Sequence, residues 1–270
     1  MHQDIKSPAF ADRRIGAVNW IGLWTLYVKE VQRFMKVGLQ TVLAPAVTTL
    51  LFFAIFMVAF GGNERIVAGT PFGQFLVPGL IMMAIVQNSF ANTSSSMLIS
   101  KIQGNIVDVL MPPLSAGELT AAFVLGGLTR GLLVAIVVAI PLSFFVEVSL
   151  PHPLIALYFA ASASLLLSLL GLIGGIWSEK FDHLAAVTNF VIMPLSFLSG
   201  TFYSIERLPA VWQTISHYNP FFYAIDGLRY AFIDRADGPI MGGIILMVVL
   251  NISLYLICYL IFRTGYRLKD

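Results

Sequence analysis

Residues 240–262 read IMGGIILMVVLNISLYLICYLIF, and no charged side chain occurs from Gly238 to Phe262. At 1.5 Å per residue, a helix of that length covers the roughly 30 Å hydrocarbon core of a bilayer. The pattern repeats toward the N-terminus. Charge is absent from Val37 to Asn63, from Ile66 to Ser100, from Val148 to Ser178 and from Leu184 to Ile205. Hydrophobic residues make up 58% of the chain and charged residues 11%, too little charge to cover a water-soluble domain of 270 residues. The expected fold class is therefore an all-α membrane protein with six transmembrane helices, at about 38–60, 73–98, 119–140, 152–177, 184–203 and 240–262. A β-barrel would show short alternating segments instead. Pro45, Pro78 and Pro194 fall inside spans, where each removes a backbone donor and is expected to kink its helix.

Lys and Arg set the orientation. With the N-terminus inside, 11 fall in inside segments (six before residue 37, then Lys101, Lys180, Arg263, Arg267 and Lys269). Four fall outside, Arg65, Arg207, Arg229 and Arg235, so both termini are expected in the cytoplasm. The first 36 residues are charged and lack an early apolar region, so the first span is expected to begin near Val37 and to be retained. Two regions result: 1–37, a cytoplasmic tail with an amphipathic helix, and 38–270, a six-span domain. The single cysteine, Cys258, allows neither an internal disulfide nor a Cys-based metal site.

Three segments do more than span. From Asn19 to Lys36, Trp20, Trp24, Tyr27, Val28, Val31 and Met35 share one helical arc, with Lys29, Arg33 and Lys36 opposite and Leu26 as the exception. Such a helix lies in the membrane interface, as a simple anchor or as a platform that also meets a cytoplasmic partner. Between spans two and three, Lys101, Ile102, Gln103, Gly104, Asn105, Ile106, Val107, Asp108, Val109 and Leu110 read as a short helix outside the lipid, stopped by Pro112 and Pro113. It is either a connector or a docking element. Ser115 precedes Glu118 by three residues, the spacing of a capping box for span three. After span five, Ser204–Pro239 is too apolar for a solvated loop and is split by Asn219-Pro220, which predicts an extracytoplasmic re-entrant helical hairpin whose second helix starts at Pro220.

Span two carries Gln87, Asn88, Ser89, Asn92, Thr93, Ser94, Ser95 and Ser96, suited either to hydrogen bonds between packed helices or to a polar route. Arg130 lies 12 residues after Glu118, about 18 Å along span three and near the bilayer centre. A guanidinium there needs a partner or a wet cavity. Asp226 or Glu147 could pair with it, or an anionic group on a cargo could.

The chain resembles the ABC-2 type permease subunits of ATP-binding-cassette exporters. The amphipathic helix before six spans carries the likeness over the whole length. Leu110-Met-Pro-Pro-Leu-Ser-Ala-Gly-Glu118 resembles the end of the family's coupling region, and Asn105 stands where Thr is common. Gly200-Thr-Phe-Tyr-Ser-Ile-Glu-Arg-Leu-Pro209 and Asn219-Pro-Phe-Phe-Tyr-Ala-Ile-Asp-Gly-Leu-Arg229 follow the family's Gly-x-Phe and Asn-Pro-x-x-Tyr-x-x-Asp-x-Leu-Arg patterns, with Ser204 where Pro is common. The resemblance implies a non-catalytic subunit that binds no cofactor, with ATP and Mg on a separate cytoplasmic ATPase present in two copies. It also implies a homodimer of permease subunits embedded in membrane lipids, with no nucleic-acid partner. Residues 101–110 would seat in the ATPase, and cargo (a lipid, lipid-linked polysaccharide or amphipathic drug) would pass between the two copies. Spans two and five would wall the route, and Gln87, Asn88, Asn92 and Arg130 would lie along it. No Lys follows a Gly, so no phosphate-binding Walker A loop is present.

An ion-coupled secondary transporter or channel is the alternative, but neither an internal repeat nor an intramembrane carboxylate pair supports it. An enzyme finds less support still. His2, His152, His183 and His217 lie outside spans or at their ends, and no His-Glu-x-x-His or Gly-x-Ser-x-Gly occurs.

Overall fold

A computed structural model describes residues 16–67, 69–205 and 208–268. Lys6, Arg13, Arg14, Arg207 and Lys269, all used in the orientation argument, lie outside these residues, as does most of the N-terminal tail.

Among the described residues, six helices are long and apolar enough to cross a membrane. α1 (Trp20–Met35) precedes them. The first span joins a π-helical turn (Leu39–Leu43) to α2 (Ala44–Ala59). A two-residue antiparallel ribbon, β1 (Ile66–Val67) with β2 (Thr70–Pro71), leads into α3 (Phe72–Ile102). A turn and the short α4 (Ile106–Leu110) connect to α5 (Ala116–Leu142), and α6 (Pro153–Trp177) is the fourth span. The fifth is composite: α7 (Phe181–Val187), a π-helical turn (Thr188–Ile192) and α8 (Met193–Leu198). Then come α9 (Ala210–His217), α10 (Pro220–Ile233) and the last span, α11 (Ile240–Thr264).

The expected spans are all present, with shifted ends. α3 runs a full turn further than residue 98, because Ser94, Ser95, Ser96 and Ser100 hydrogen-bond back to their own helix or to neighbours rather than breaking it. Pro78 sits inside α3, whereas Pro45 and Pro194 each lie near the start of a helix, just after a π-helical turn. In those turns Ala44 donates to Leu39 and Met193 to Thr188, one residue wider than an α-turn. The proline ring would clash with the carbonyl four residues back, and the wider turn relieves that clash.

α3 is the axle of the bundle, packed on α6, α5 and α10. The α3–α6 seam is made close by small residues: a Cβ on Gly175 would stand 2.7 Å from the Ser94 carbonyl oxygen. Hydroxyls bridge the seam, with Ser89 to Ser164 at 2.7 Å and Thr93 donating to the Ser168 carbonyl at 2.7 Å. This is how helices associate in lipid, where apolar burial supplies no net drive and backbone approach and interhelical hydrogen bonds must.

Candidate functional site

Three places combine exposed or unsatisfied groups with defined geometry. The first is the turn between α3 and α5. The expected single helix over 101–110 is instead two pieces. α3 ends at Ile102, Gln103, Gly104 and Asn105 form a turn with Gly104 at φ +72°, and α4 follows. A left-handed backbone at Gly104 ends the long helix, as glycine permits without steric cost. Val109 is buried, with Ile106 and Leu110 packed beside it on the core formed by α5, α6 and α11. Ile102, Val107 and Met111 are more than half exposed, and Gln103, Asn105 and Asp108 are exposed between them. Lys101 points the other way: its Nζ donates to the carbonyls of Ile176 (2.6 Å) and Ser178 (3.1 Å), closing the end of α6.

The second place is the seam between α1 and the bundle. Trp20 and Trp24 are exposed, as the aromatic arc requires for a lipid-facing side, and Lys29 and Lys36 are exposed too. The face that meets protein is Leu26, Glu30 and Phe34, so the exceptional Leu26 marks the packed side. Arg33 departs from its expected exposed polar face. Its Nη2 donates to the Asn92 carbonyl (2.8 Å) and Oδ1 (3.0 Å), and Nε approaches Glu30 at 3.3 Å. Glu30, 2% exposed, also accepts from Ser96 Oγ at 2.8 Å. The reason is helical period: Leu26, Glu30, Arg33 and Phe34 lie three to four residues apart and share one face. At the other end of α1, Asn19 caps the helix by accepting from Gly22 N. Its own N–H donates to Glu118, whose other carboxylate oxygen accepts from Ser115 N at 2.6 Å. The predicted capping box is present, with Ser115 Oγ accepting from Glu118 N.

The third place is a cavity of about 360 Å³ between the first span, α3 and the fifth span. Both π-helical turns supply it, through Gln40 and Thr188. Thr48, Thr49, Gln87 and Asn88 add polar groups, and Phe52, Leu80 and Met83 an apolar wall. The four residues expected along a polar route therefore divide. Gln87 and Asn88 line the cavity. Arg130 stands one hydrogen bond behind, its Nη2 donating to Asn88 Oδ1 at 2.9 Å. Asn92 is fully buried and belongs to the α1 seam. Neither proposed carboxylate reaches Arg130. Asp226 accepts from the backbone N–H of Asp237 (2.8 Å) and Gly238 (2.9 Å), and Glu147 lines a separate cavity with Gln74 and Asp234. The acceptor is a neutral amide on α3. Of α3, it is the Leu80–Ala91 side that meets this cavity, and 83% of the helix's apolar window is buried in protein.

The far end of the bundle is closed by α9 and α10. Asn219 caps α10 at Phe221 N (3.0 Å) and ties it to the fifth span through Leu195 O (2.9 Å) and Ser199 Oγ (2.7 Å). Arg229, 1% exposed, donates to Gly200 O at 2.6 Å and lies 3.9 Å from the centre of the Phe75 ring, a buried cation–π contact. These are the residues of the Asn-Pro…Asp-x-Leu-Arg motif, and their work is to lock α10 against α3 and the fifth span. Among the described residues no group of three or more His, Cys, Asp or Glu side chains could hold a metal ion.

Residues 22–233 match the family model described as ABC-2 type transporter. The chain is 37% identical over 251 residues to the inner membrane transport permease YadH of Escherichia coli strain K12, covering 93% of this chain and 98% of that protein. It is 25% identical over 220 residues to nodulation protein J of Rhizobium leguminosarum bv. trifolii, covering 79% and 81%, and 23% identical over 228 residues to nodulation protein J of Sinorhizobium fredii, covering 82% and 84%.

Proposed function

This chain belongs to the ABC-2 type transporter family, and we propose that it forms a homodimeric exporter that moves an amphiphile out of the cytoplasm or inner leaflet by alternating access. It is a multi-pass inner-membrane subunit without catalysis of its own, and ATP is hydrolysed by a partner ATP-binding-cassette ATPase. In the proposed assembly two ATPases sit below the α1 and α4 end, so both chain termini are cytoplasmic. α9 and α10 then form the re-entrant hairpin on the opposite side.

The observation that carries this reading is the surface at α4. Ile102, Val107 and Met111 are apolar and exposed at an end of the bundle where Asp108 and Gln103 are also exposed. Apolar side chains grouped among polar ones at a helix–turn fit a partner's cleft better than water. α4 is fixed to the bundle by Val109 and tied through Ser115 and Glu118 to both α5 and α1. A push on α4 would therefore move two elements together. ATP-driven closure biases the spans only through its differential affinity for the two states. The homodimer is supported by the exposed faces of α2 and the fifth span, which flank the cavity and carry Val47, Leu51, Phe190 and Val191.

The test is co-purification with the ATPase and the hydrolysis that the permease stimulates. Val107→Glu and Asp108→Lys are expected to lower both without loss of folded permease, since neither side chain is buried. Lys101 is a poor probe because it closes the end of α6. Full association and stimulation in both variants would refute docking through α4.

A further inference from the structure

Arg130 is 8% exposed, lies midway along α5 and holds one partner, the neutral Asn88 carbonyl. Its Nε is buried without an acceptor, and among the described residues no carboxylate pairs with it. Glu30, the carboxylate of the neighbouring seam, is already engaged by Arg33 and Ser96. A second buried donor without an acceptor, Gln87 Nε2, lies on the cavity wall next to Asn88. The cavity is lined by Thr, Gln and Asn with apolar side chains, and by no Asp or Glu. Placing an arginine at the centre of a membrane helix carries a substantial cost even on the most lenient scale. One amide acceptor offsets only part of that.

We infer that this cavity binds the anionic headgroup of an amphiphile, with Arg130 supplying the charge, Gln87 a second donor, and Asn88 acting as a removable screen. The inference rests on reading the cavity as part of the transport route and names the class of cargo for it. Asn88 holds Arg130 through Oδ1 and its own helix through Nδ2, which donates to Ala84 O at 2.9 Å. Asn88 offers Arg130 only a neutral acceptor, whereas a phosphate or carboxylate accepts with the opposite full charge and can do so bidentately, which makes it the stronger partner. An arriving anion therefore displaces the Asn88 carbonyl from Arg130 and accepts from Gln87 at the same time. Phe52, Leu80, Met83 and Ala84 offer the apolar wall for the attached chain. No covalent step is involved.

The experiment uses the full chain in phosphatidylcholine nanodiscs, with and without its ATPase. Dodecyl phosphate is the probe, inorganic phosphate and dodecyltrimethylammonium are the controls, and affinity is read from saturable thermal shift. Dodecyl phosphate is expected to bind, and the two controls are not. Loss of a hydrogen bond to a charged group predicts about tenfold weaker binding in Arg130→Met and about threefold in Gln87→Leu. Arg130→Lys retains most of the affinity, and Asn88→Ala tightens binding. Equal binding of the ammonium amphiphile overturns the charge assignment, and equal binding of inorganic phosphate overturns the amphiphile. If Arg130→Met does not accumulate, unchanged affinity in Gln87→Leu overturns the site by itself. Failure of the chain to associate with an ATPase, with dodecyl phosphate binding intact, would sink the transport reading and leave the headgroup site standing.

Discussion

α3 and the composite fifth span are equally apolar by composition, yet 83% of the apolar window of α3 is buried in protein against 17% for the fifth span. The difference lies in what each helix meets. α3 presents Ser89, Thr93, Ser94 and Ser96 to glycines and hydroxyls on α5 and α6 and to Glu30 on α1, so these residues are held by neighbours at close range. The fifth span is interrupted by a π-helical turn and turns Phe190 and Val191 outward. Membrane helices of the same hydropathy can thus be a fixed axle or a loosely held wall, and the choice is made by small-residue contacts rather than by overall polarity.

The strongest way to break this contrast is to force the axle apart. Gly175→Leu would drive a side chain into the Ser94 backbone, and overpacking of that kind costs about 3 kcal/mol. Loss of monodisperse protein in fluorescence-detected size exclusion is the expected result. The α1 seam comes next. Glu30→Gln leaves Arg33 without its counter-charge and is expected to cost about 2 kcal/mol, read as a lower midpoint of thermal aggregation. Adding Arg33→Gln should recover part of that loss, because the two side chains act as a pair. On the looser helix, Pro194→Ala lets the π-helical turn relax to an α-turn. Stability should change by less than about 1 kcal/mol, while ATP-dependent transport in proteoliposomes falls. The smallest effect belongs to α11. Ile252→Ala removes a half-exposed side chain, and its stability, followed by thermal unfolding, should stay within the roughly 0.5 kcal/mol expected of surface changes. A large effect there would mean that α11, and not only the faces beside the cavity, is covered in the assembled protein.

The features legible in the sequence were those written locally. Six apolar runs, the Ser115–Glu118 capping box and the break at Asn219-Pro220 each depend on residues a few positions apart, and each is present. The burial order of the spans was not legible, since it depends on which glycine meets which serine across helices far apart in sequence. The charge of Arg33 by itself predicts the watery face. The helical period placing it beside Glu30 and Phe34 was the signal that could have corrected this. For Arg130 the sequence offers Asp226, Glu147 or an anionic group on a cargo, and neither carboxylate reaches it. Its protein acceptor is an amide on α3, and no local pattern ties residue 88 to residue 130. The split at Gly104 could have been read from that glycine, which interrupts an otherwise helical run.

α1 is fastened at both ends, by Asn19 to Glu118 at its start and by Glu30 and Arg33 to Ser96 and Asn92 near its finish. Its attachment therefore does not depend on lipid partitioning. Extraction into a detergent micelle would leave the helix in register with α3 and α5, and backbone amide exchange along it would stay slow. Changes in lateral pressure of the leaflet beside it would then reach the bundle as a torque on its axle rather than as detachment of a float.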